Sequence, residues 1–432
     1  MKSIWSEFPM PRFDPLDGNL HTDVLVIGGG MAGLLCAHVL QEAGIRCVVA
    51  EADRIAGGIT CNTTAKLTAQ HGLCYHKIAK KSGLEAAQIY LRTNLRALSA
   101  FSVLCAGIDC DYETQTHYVY SLRSRVLLDK ELKVLQKLRF DAGFRDEVDL
   151  PFPTLGAVAF PDQAQFHPRK FLAAIVRKLT IYENTPVLRL EKNCAITPRG
   201  TIQAEKIVVA THFPFLNTHG SYFMKLYQQR SYVLAVNNAA FAGMYLDEQT
   251  GSLSFRSYGD TLLLGGGGHR TGTKGDGWLP LEAFAREYYP GCEITHRWAA
   301  QDCMSLDTMP YVGHYSALMP NLYVATGFNK WGMTGAMAAA QLLTDQLLGK
   351  PNPALSRFSP SRSILRPQLA VNLLESTANL LKPTVPRCPH LGCALKWNPQ
   401  EHSWDCPCHG SRFSEDGHLL DNPATHDLKK RQ

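Results

Sequence analysis

Two short motifs near the C-terminus carry the residues best suited to metal or redox chemistry. Cys388-Pro-His390 and Cys406-Pro-Cys408-His409 each supply a thiolate and an imidazole, with fifteen residues between His390 and Cys406. Two thiolates and two imidazoles can form a structural zinc site. They can also hold a 2Fe–2S centre in which two imidazoles replace two thiolates on one iron. The residue types alone leave both kinds of site open.

The residues that surround these ligands narrow the choice. Cys393 closes the first motif, and Cys408-His409-Gly410-Ser411 completes the second. This pattern resembles a Rieske cluster-binding domain, in which the matching ligands would be Cys388, His390, Cys406 and His409. The resemblance also implies that a disulfide between Cys393 and Cys408 links the two cluster loops. A zinc site remains the alternative, but it gives these two cysteines no role.

The C-terminal segment is short for an independent domain. The last ~45 residues bury too little surface to hold a core without cross-links or a neighbouring domain. We therefore expect residues 387–432 to form a small all-β Rieske lobe docked on the rest of the chain. The Pro-containing linker before it, 351–386, should carry a helix over about 369–381. Asn422-Pro423-Ala424 stands where the Rieske family usually has Gly-Pro.

A glycine-rich turn near the N-terminus predicts a dinucleotide site. The apolar strand 23–27 runs into Gly28-Gly29-Gly30-Met31-Ala32-Gly33 and then into an apolar helix, and the next strand ends at Glu51. Glycines at these positions permit a tight turn and a close approach to a pyrophosphate, which the helix N-terminus stabilises. Glu51 can accept hydrogen bonds from ribose hydroxyls. FAD and NAD fit this fingerprint equally well.

Later motifs distinguish the two dinucleotides. Asn62-Thr63-Thr64-Ala65-Lys66 follows the fingerprint, Asp307-Thr308-Met309-Pro310 comes much later, and Gly327-Phe328 leads to Trp331-Gly332-Met333-Thr334-Gly335 before an Ala-rich helix. Over roughly residues 20–350 this order resembles the D-amino-acid-oxidase-like flavoenzyme family, in particular members with a C-terminal Rieske extension. A helix N-terminus at the last motif would stabilise the anionic reduced flavin. The resemblance implies FAD contacts from Gly28, Gly30, Met31, Ala32, Gly33, Glu51, Thr63, Thr64, Lys66, Val187, Ala210, Gly327, Trp331, Gly332, Met333 and Thr334.

The same resemblance implies the domain organisation. We expect an α/β fold in which a Rossmann-like FAD-binding domain is built from 20–80, 155–215 and 300–350. An interleaved antiparallel-sheet substrate domain, of α+β type, would comprise 81–154 and 216–299. The small all-β Rieske lobe would complete the chain.

The substrate domain contains few residues suited to catalysis. Tyr232, His269 and Arg270 are the candidate catalytic residues, and Trp298 is a further pocket candidate. An arginine can hold a carboxylate through two parallel hydrogen bonds, and a histidine can remove a proton. A solvated cation, a satisfied loop histidine and a core aromatic are the structural alternatives, and the sequence leaves them open.

Composition bounds the partners and the compartment. The 44 basic and 38 acidic residues give a net charge of +6 without a basic run, so we expect no nucleic-acid binding. No run of ~18 apolar residues predicts a membrane span, and the N-terminus lacks a signal-peptide pattern. Nine of the thirteen cysteines are scattered through the first 303 residues without a disulfide pattern, which favours a cytoplasmic location.

Two absences limit the direction of electron flow. Gly265–Gly268 precedes His269 rather than an apolar helix, so a second nucleotide fold is not indicated. No two-His-one-carboxylate motif follows the Rieske ligands, which argues against a mononuclear-iron oxygenase. The sequence therefore predicts an FAD-dependent oxidoreductase that oxidises a small substrate, by family resemblance an amine or amino acid. Electrons would leave singly through the 2Fe–2S cluster to an acceptor protein or a quinone. An electron-transfer module between protein partners and a non-catalytic sensor are the alternatives.

Overall fold

A computed structural model describes residues 2–217, 219–249, 251–383 and 386–429. Positions 218, 250, 384–385 and 430–432, which fall in the predicted substrate domain, linker and Rieske lobe, lie outside the described residues. No helix in the described ranges combines the length and the apolar character that crossing a membrane requires.

The helices vary from single turns to a 22-residue helix in the first third of the chain. In chain order they are α1 (Met31–Glu42), α2 (Gly58–Cys61), α3 (Tyr75–Ser82), α4 (Leu84–Cys105), α5 (Arg125–Lys137), α6 (Pro168–Ile175), α7 (Tyr222–Lys225), α8 (Leu279–Tyr288), α9 (Gly332–Leu347), α10 (Ala354–Phe358) and α11 (Pro367–Leu381), with 3-10 turns at Ile4–Glu7 and Val176–Lys178.

The strands form three separate sheets. In chain order they are β1 (Leu20–Ile27), β2 (Cys47–Ala50), β3 (Lys66–Leu67), β4 (Glu113–Tyr120), β5 (Gly143–Arg145), β6 (Ala157–Gln165), β7 (Thr180–Tyr182), β8 (Arg189–Glu191), β9 (Cys194–Thr197), β10 (Gly200–Val209), β11 (Leu226–Asn237), β12 (Met244–Asp247), β13 (Ser254–Tyr258), β14 (Thr261–Arg270), β15 (Glu293–Ser305), β16 (Tyr311–His314), β17 (Leu322–Thr326), β18 (Lys396–Asn398), β19 (Ser403–Asp405), β20 (Arg412–Ser414) and β21 (Leu419–Asp421).

The first sheet positions the glycine-rich turn. Its order is β16-β17-β10-β1-β2-β7, and β10, β1, β2 and β7 run parallel. The second half of β1 is apolar and buried, as expected of a strand covered on both faces. Helices α1 and α9 pack against each other beside this sheet. The strand and helix predicted around the fingerprint are therefore confirmed, and so is the α/β fold class.

The second sheet is mostly antiparallel and contacts the C-terminal lobe through β11. Its order is β15-β11-β14-β13-β12-β4-β6-β3, with β5 on β6. The pairings place β3 and β6, which fall in the predicted FAD-binding ranges 20–80 and 155–215, in this sheet. Strand β15 also crosses the predicted boundary at residue 300. Strand partners lie far apart in sequence, so local pattern could not assign them, and the division by residue range stays a prediction.

The C-terminal lobe, residues 387–429 of the described chain, is a four-stranded antiparallel sheet with two loops. Strands β18 to β21 pair in sequence order. The core of the lobe is small and consists of Phe413, Leu395, Ala424 and its four cysteines. The predicted linker helix is present as α11. The small all-β lobe is therefore confirmed, and its small core explains why it is docked on the second sheet.

A buried ion-pair network fastens this lobe to β11. Glu401 of the lobe accepts from Arg230 Nε at 3.0 Å and pairs a second time with the same guanidinium. Arg412 crosses the lobe and bonds Glu401, Asp405 and Asp421 at 2.8 to 3.0 Å. Arg230 and Glu401 are almost fully buried. Charges removed from water in this way stabilise the interface only while every partner is present.

This network generates a stability prediction. Replacing Arg230 by Met should lower the free energy of unfolding by about 3 kcal/mol, because Glu401 would remain buried without its main partner. Limited proteolysis should then cleave the chain near residue 386. Arg286→Met is the matched control, since Arg286 forms an exposed pair with Glu282. Equal stability of the two variants would contradict the proposed importance of the network.

Candidate functional site

The glycine-rich turn is shaped as a phosphate-binding cradle. Gly28 has a φ of +112°, and a Cβ on it would lie 2.6 Å from the carbonyl oxygen of Ala210. A Cβ on Gly33 would lie 1.8 Å from the carbonyl oxygen of Gly28. Gly30 is the N-cap of α1 and has no side chain to occupy the space before the helix. Only glycines allow this close packing, and the geometry fits the diphosphate of a dinucleotide.

The predicted adenosine contacts meet at the same edge of the first sheet. Glu51 accepts hydrogen bonds from the backbone N–H groups of Gly29 at 2.6 Å and Asp53 at 2.9 Å. Burial raises the pKa of the Glu51 carboxyl. The Thr185 N–H donates to the carbonyl of Glu51, which brings the segment leading to Val187 alongside. The Ala210 N–H donates to the carbonyl of Ile27.

The remaining predicted FAD contacts form a second group at the N-terminus of α9. Thr334 accepts a hydrogen bond from the backbone N–H of Thr68 at 3.0 Å. Trp331, the N-cap of α9, stacks on His71 with ring centroids 4.7 Å apart. Gly327 begins the turn before the helix with a φ of +71°. The segment 68–71, which follows β3, and the N-terminus of α9, which includes Gly332 and Met333, are therefore neighbours although they are far apart in sequence.

The Lys66 side chain forms its hydrogen bonds with residues of the second sheet. Its ammonium donates to the carbonyl of Tyr245 and to the hydroxyl of Ser254, both at 2.7 Å. Burial lowers the pKa of Lys66 well below its usual value, and the neighbouring charge of Arg256 lowers it further. The predicted contact of Lys66 with the flavin stays a prediction.

The four predicted cluster ligands converge on one point of the C-terminal lobe. The Cys388 and Cys406 thiols lie close enough to shift each other's pKa. The rings of His390 and His409 lie 4.9 Å apart, nearly perpendicular. Within the described residues, Nδ1 of each histidine is buried and makes no hydrogen bond. Two buried imidazole nitrogens without a hydrogen-bond partner, in the loops that also carry two thiols, fit a metal or an iron–sulfur group and would be costly otherwise.

The ionisation of these ligands also suits metal binding. Burial lowers the pKa of His390 to about 4 and that of His409 to about 3, so both imidazoles are neutral at pH 7. Interaction with the Cys406 thiol lowers the pKa of the Cys388 thiol to about 7, and the same interaction raises the pKa of Cys406. Neutral imidazoles and an accessible thiolate are the forms that coordinate metals.

A disulfide joins the two cluster loops, which are residues 388–393 and 406–411. It links Cys393 to Cys408, whose Cα atoms are 6.7 Å apart. The sulfur of Cys406 lies within 4.8 Å of both bridging sulfurs. Because disulfide sulfurs are not thiolates, the bridge leaves Cys388 and Cys406 as the thiolate donors.

Side chains of the second sheet hold the backbone of the second cluster loop. Gln228 donates to the carbonyl of His409 at 3.0 Å, and Gln301 donates to the carbonyl of Gly410 at 2.8 Å. The Arg270 guanidinium donates to the carbonyls of Pro407 at 3.1 Å and Cys408 at 3.2 Å. A Cβ on Gly410 would meet Gln228 at 2.6 Å. Four successive carbonyls of the loop are thus fixed by donors from outside the lobe.

The predicted catalytic residues Tyr232 and His269 lie on the same face of the second sheet as Arg230. The Tyr232 hydroxyl donates to Glu401 of the C-terminal lobe at 3.2 Å, and its ring stacks on His269 and contacts the edge of Trp278. Arg270 follows His269 and is engaged by the second cluster loop. The structure thus brings the three residues to the C-terminal lobe and to α8.

The opposite face of the same strands lies near the segments that are predicted to contact FAD, which are residues 62–66 and 327–334; these two segments are called the FAD loops. Side chains alternate along a strand, so Ser231 points away from Tyr232 and accepts a hydrogen bond from Lys330 at 2.9 Å. Trp298 donates to the carbonyl of Asn62 at 3.1 Å, so this candidate does face the FAD loops. The catalytic roles of Tyr232, His269 and Arg270 stay predictions, and these contacts do not favour them.

Asp302 and Lys330 were not identified from sequence. Asp302 lies two residues beyond Ala300, which pairs with Ser231, and so shares the FAD-side face. Burial raises the pKa of the Asp302 carboxyl, and the charges of Lys330, His212 and Arg230 oppose that shift. In the described part of the chain its carboxylate accepts no hydrogen bond. A single aspartate in a strand gives no sequence signal, because only strand pairing places it beside α9.

Comparison with known proteins agrees with both halves of this site. The sequence model of the family described as FAD dependent oxidoreductase matches residues 23–346, and that of the Rieske [2Fe-2S] domain matches residues 367–432. The putative Rieske 2Fe-2S iron-sulfur protein YhfW of Bacillus subtilis is 32% identical, covering 98% of this chain and 95% of that protein. Iron-sulfur subunit 3 of the cytochrome b6-f complex of Nostoc sp. is 36% identical, covering 22% of this chain and 57% of the subunit.

Solved structures share the fold of about four fifths of the chain. L-proline dehydrogenase from P. horikoshii has a TM-score of 0.68 at 15% identity, covering 80% of this chain and 98% of that one. Glycine oxidase from Geobacillus kaustophilus has a TM-score of 0.66 at 18% identity, covering 80% and 99%. At these identities the likeness shows the fold.

The ligand assignment predicts that removing one cysteine ligand abolishes the cluster and leaves the flavin bound. Cys406→Ser should remove the bound iron and the Rieske EPR signal but leave the flavin absorbance unchanged, because the fingerprint lies in a different sheet. Cys194→Ser, a half-buried free thiol in β9, is the control. Iron retained in the Cys406 variant, or zinc found in the wild-type protein, would contradict this ligand assignment.

The Arg270 contacts predict an effect on reduction potential. A positive charge beside the cluster loop favours the reduced cluster, so Arg270→Met should lower the midpoint potential by about 59 mV, a tenfold change in the one-electron equilibrium. Arg270→Lys keeps the charge but loses the paired donors, and should recover most of the shift. EPR-monitored redox titration measures both; equal potentials in all three proteins would show that Arg270 only fills space.

Proposed function

Because the chain belongs to the FAD dependent oxidoreductase family and carries a Rieske [2Fe-2S] domain, we propose that it oxidises a small amine or amino acid. Its electrons would pass singly through the 2Fe–2S cluster to an external acceptor, a one-electron protein or a quinone. Bound FAD supplies a two-electron acceptor that can release electrons one at a time, and a 2Fe–2S cluster accepts one. The residues of the chain supply the binding, the orientation and the connection between the two sites.

The observation that carries this proposal is the double contact made by β11. Gln228 of this strand binds the second cluster loop, and Ser231 binds Lys330 in the loop that begins α9. Three residues of extended strand span only about 10 Å. Phe213, which follows β10, also lies beside both ligand histidines, with ring centroids 6.4 and 6.3 Å away. Both cofactor-binding regions therefore contact the same short stretch of backbone, which supports direct electron transfer between them.

Charged groups on the FAD-side face of the second sheet suit an amine substrate. Asp302 offers a carboxylate that no described residue engages in a hydrogen bond, and carboxylates accept strong charge-assisted hydrogen bonds from amines. Lys330 is held by Ser231 and could meet a substrate carboxylate on the other side. The solved neighbours, which include an L-proline dehydrogenase, a glycine oxidase and an L-amino acid deaminase, agree with this class of substrate.

Anaerobic addition of candidate amines and amino acids tests the proposal. The holoprotein should show bleaching of the flavin and appearance of the reduced-cluster EPR signal with one compound and without any added protein. Reduction only by a reduced protein partner would assign the chain to electron relay instead. If neither the candidate substrates nor a reduced protein partner reduces the cofactors, the proposed oxidoreductase function is contradicted.

The two faces of the second sheet give a residue-level test. Asp302→Asn should slow substrate-driven flavin reduction about tenfold, the effect of losing a charge-assisted hydrogen bond worth ~1.5 kcal/mol. Tyr232→Phe is the matched control on the opposite face and should change that rate less than about twofold. Stopped-flow absorbance measures both. The reverse pattern would return the substrate site to the face that carries Tyr232.

A further inference from the structure

Helix α11 packs with its amphipathic faces inverted. Its asparagines are buried: Asn372 is 3% exposed and Asn379 is 1% exposed. Residues seven apart lie on the same face of a helix, so this polar face is turned towards the protein. The large apolar residues face solvent, with Leu374 71% exposed and Leu381 78% exposed. Val371 lies on one flank of this outward face, Leu373 and Leu380 lie on the other flank, and all three are exposed.

Hydrogen bonds hold the polar face in place. Asn372 accepts from Arg270 at 2.9 Å and from Gln368 at 3.1 Å. The Ala394 N–H donates to the carbonyl of Asn379 at 3.0 Å. These contacts fix the rotation of α11, so its leucines cannot turn inward without breaking them. Soluble surfaces rarely keep such a continuous apolar face uncovered, which calls for an occupant.

The charges around this face favour one occupant. Lys382 and Arg387 are exposed at the C-terminal end of α11, and Arg366 lies at its N-terminal end. The acid of the helix, Glu375, is half-buried and accepts from Asn379. A second copy packed face to face would bring like charges together in both the parallel and the antiparallel arrangement. An anionic lipid surface instead complements the cations while receiving the leucines.

We propose that the outward face of α11 binds the surface of an anionic lipid bilayer. The helix has 15 residues, about 22 Å in length, and is too short to cross ~30 Å of hydrocarbon. It would therefore lie in the plane of the interface, as amphipathic helices do at membrane surfaces. This inference does not depend on the substrate or on the redox chemistry of the protein.

The position of α11 gives the contact a purpose. The Arg387 side chain donates to the carbonyls of Leu380 at the end of the helix and Gly392 in the first cluster loop. That loop carries the half-exposed ligand His390 and the exposed Leu391. A bilayer held against α11 would therefore lie next to the segment that leads from the helix into the first cluster loop.

Vesicle flotation of the full-length holoprotein tests the proposal. One set of vesicles contains phosphatidylcholine alone and the other an equal mixture with phosphatidylglycerol. Wild-type protein should float with the anionic vesicles and less with the neutral ones, and salt should weaken the binding. Leu374→Glu combined with Leu381→Glu should weaken binding to anionic vesicles at least about tenfold.

Matched controls keep the test decisive. The control variant combines Leu318→Glu with Val103→Glu. These two side chains lie away from α11 and are similarly exposed, at 83% and 73%, so the control should bind vesicles as wild type does. Unchanged flavin and cluster spectra in the α11 variant exclude unfolding. The proposal is overturned if wild type does not bind anionic vesicles, or if the α11 variant binds them equally. A wild-type dimer that the α11 variant splits, without vesicle binding, would assign the face to a second copy.

Discussion

The structure depends on the hydrogen bonds by which the second sheet holds the second cluster loop. A loop that binds a cluster turns sharply and leaves backbone carbonyls without partners of their own, and such groups are costly when buried. Here Gln228, Gln301 and Arg270 satisfy the carbonyls of residues 407–410 from outside the lobe. The C-terminal lobe has a core of only a few side chains. Its ligand geometry is therefore a property of the interface as much as of the lobe.

The same strands serve two sites because a strand has two faces. On β11, Arg230 and Tyr232 face the C-terminal lobe, while Ser231 faces Lys330 and the start of α9. One strand can thus position a cluster loop on one side and cofactor-side residues on the other, with no additional element between them. The buried Arg230–Glu401 pair is costly to break and also fixes the docking position, since a shifted lobe would leave a buried charge without its partner.

Local signals were sufficient for the cofactors. The glycines of the fingerprint, the ligands Cys388, His390, Cys406 and His409, and helix α11 all follow from short spacing or short-range pattern. The residues of the proposed substrate site could not be predicted in this way, because the site depends on which residues of distant strands become neighbours. A change of one residue in register exchanges the two faces of a strand, and the pairing of β11 with β14 shifts between Arg230 and Tyr232. Asp302 and Lys330 are brought together only by the pairing of β15 with β11 and by the position of α9 beside them.

We propose that electrons move within one molecule from the flavin to the cluster across this interface. Flash photoreduction of the flavin in the anaerobic holoprotein, followed by optical detection of the cluster, measures that transfer without any knowledge of the substrate. Because transfer within one molecule is first order, cluster reduction should follow flavin reduction at a rate that does not depend on protein concentration. A rate proportional to protein concentration, or a flavin that stays reduced beside an oxidised cluster, would contradict it.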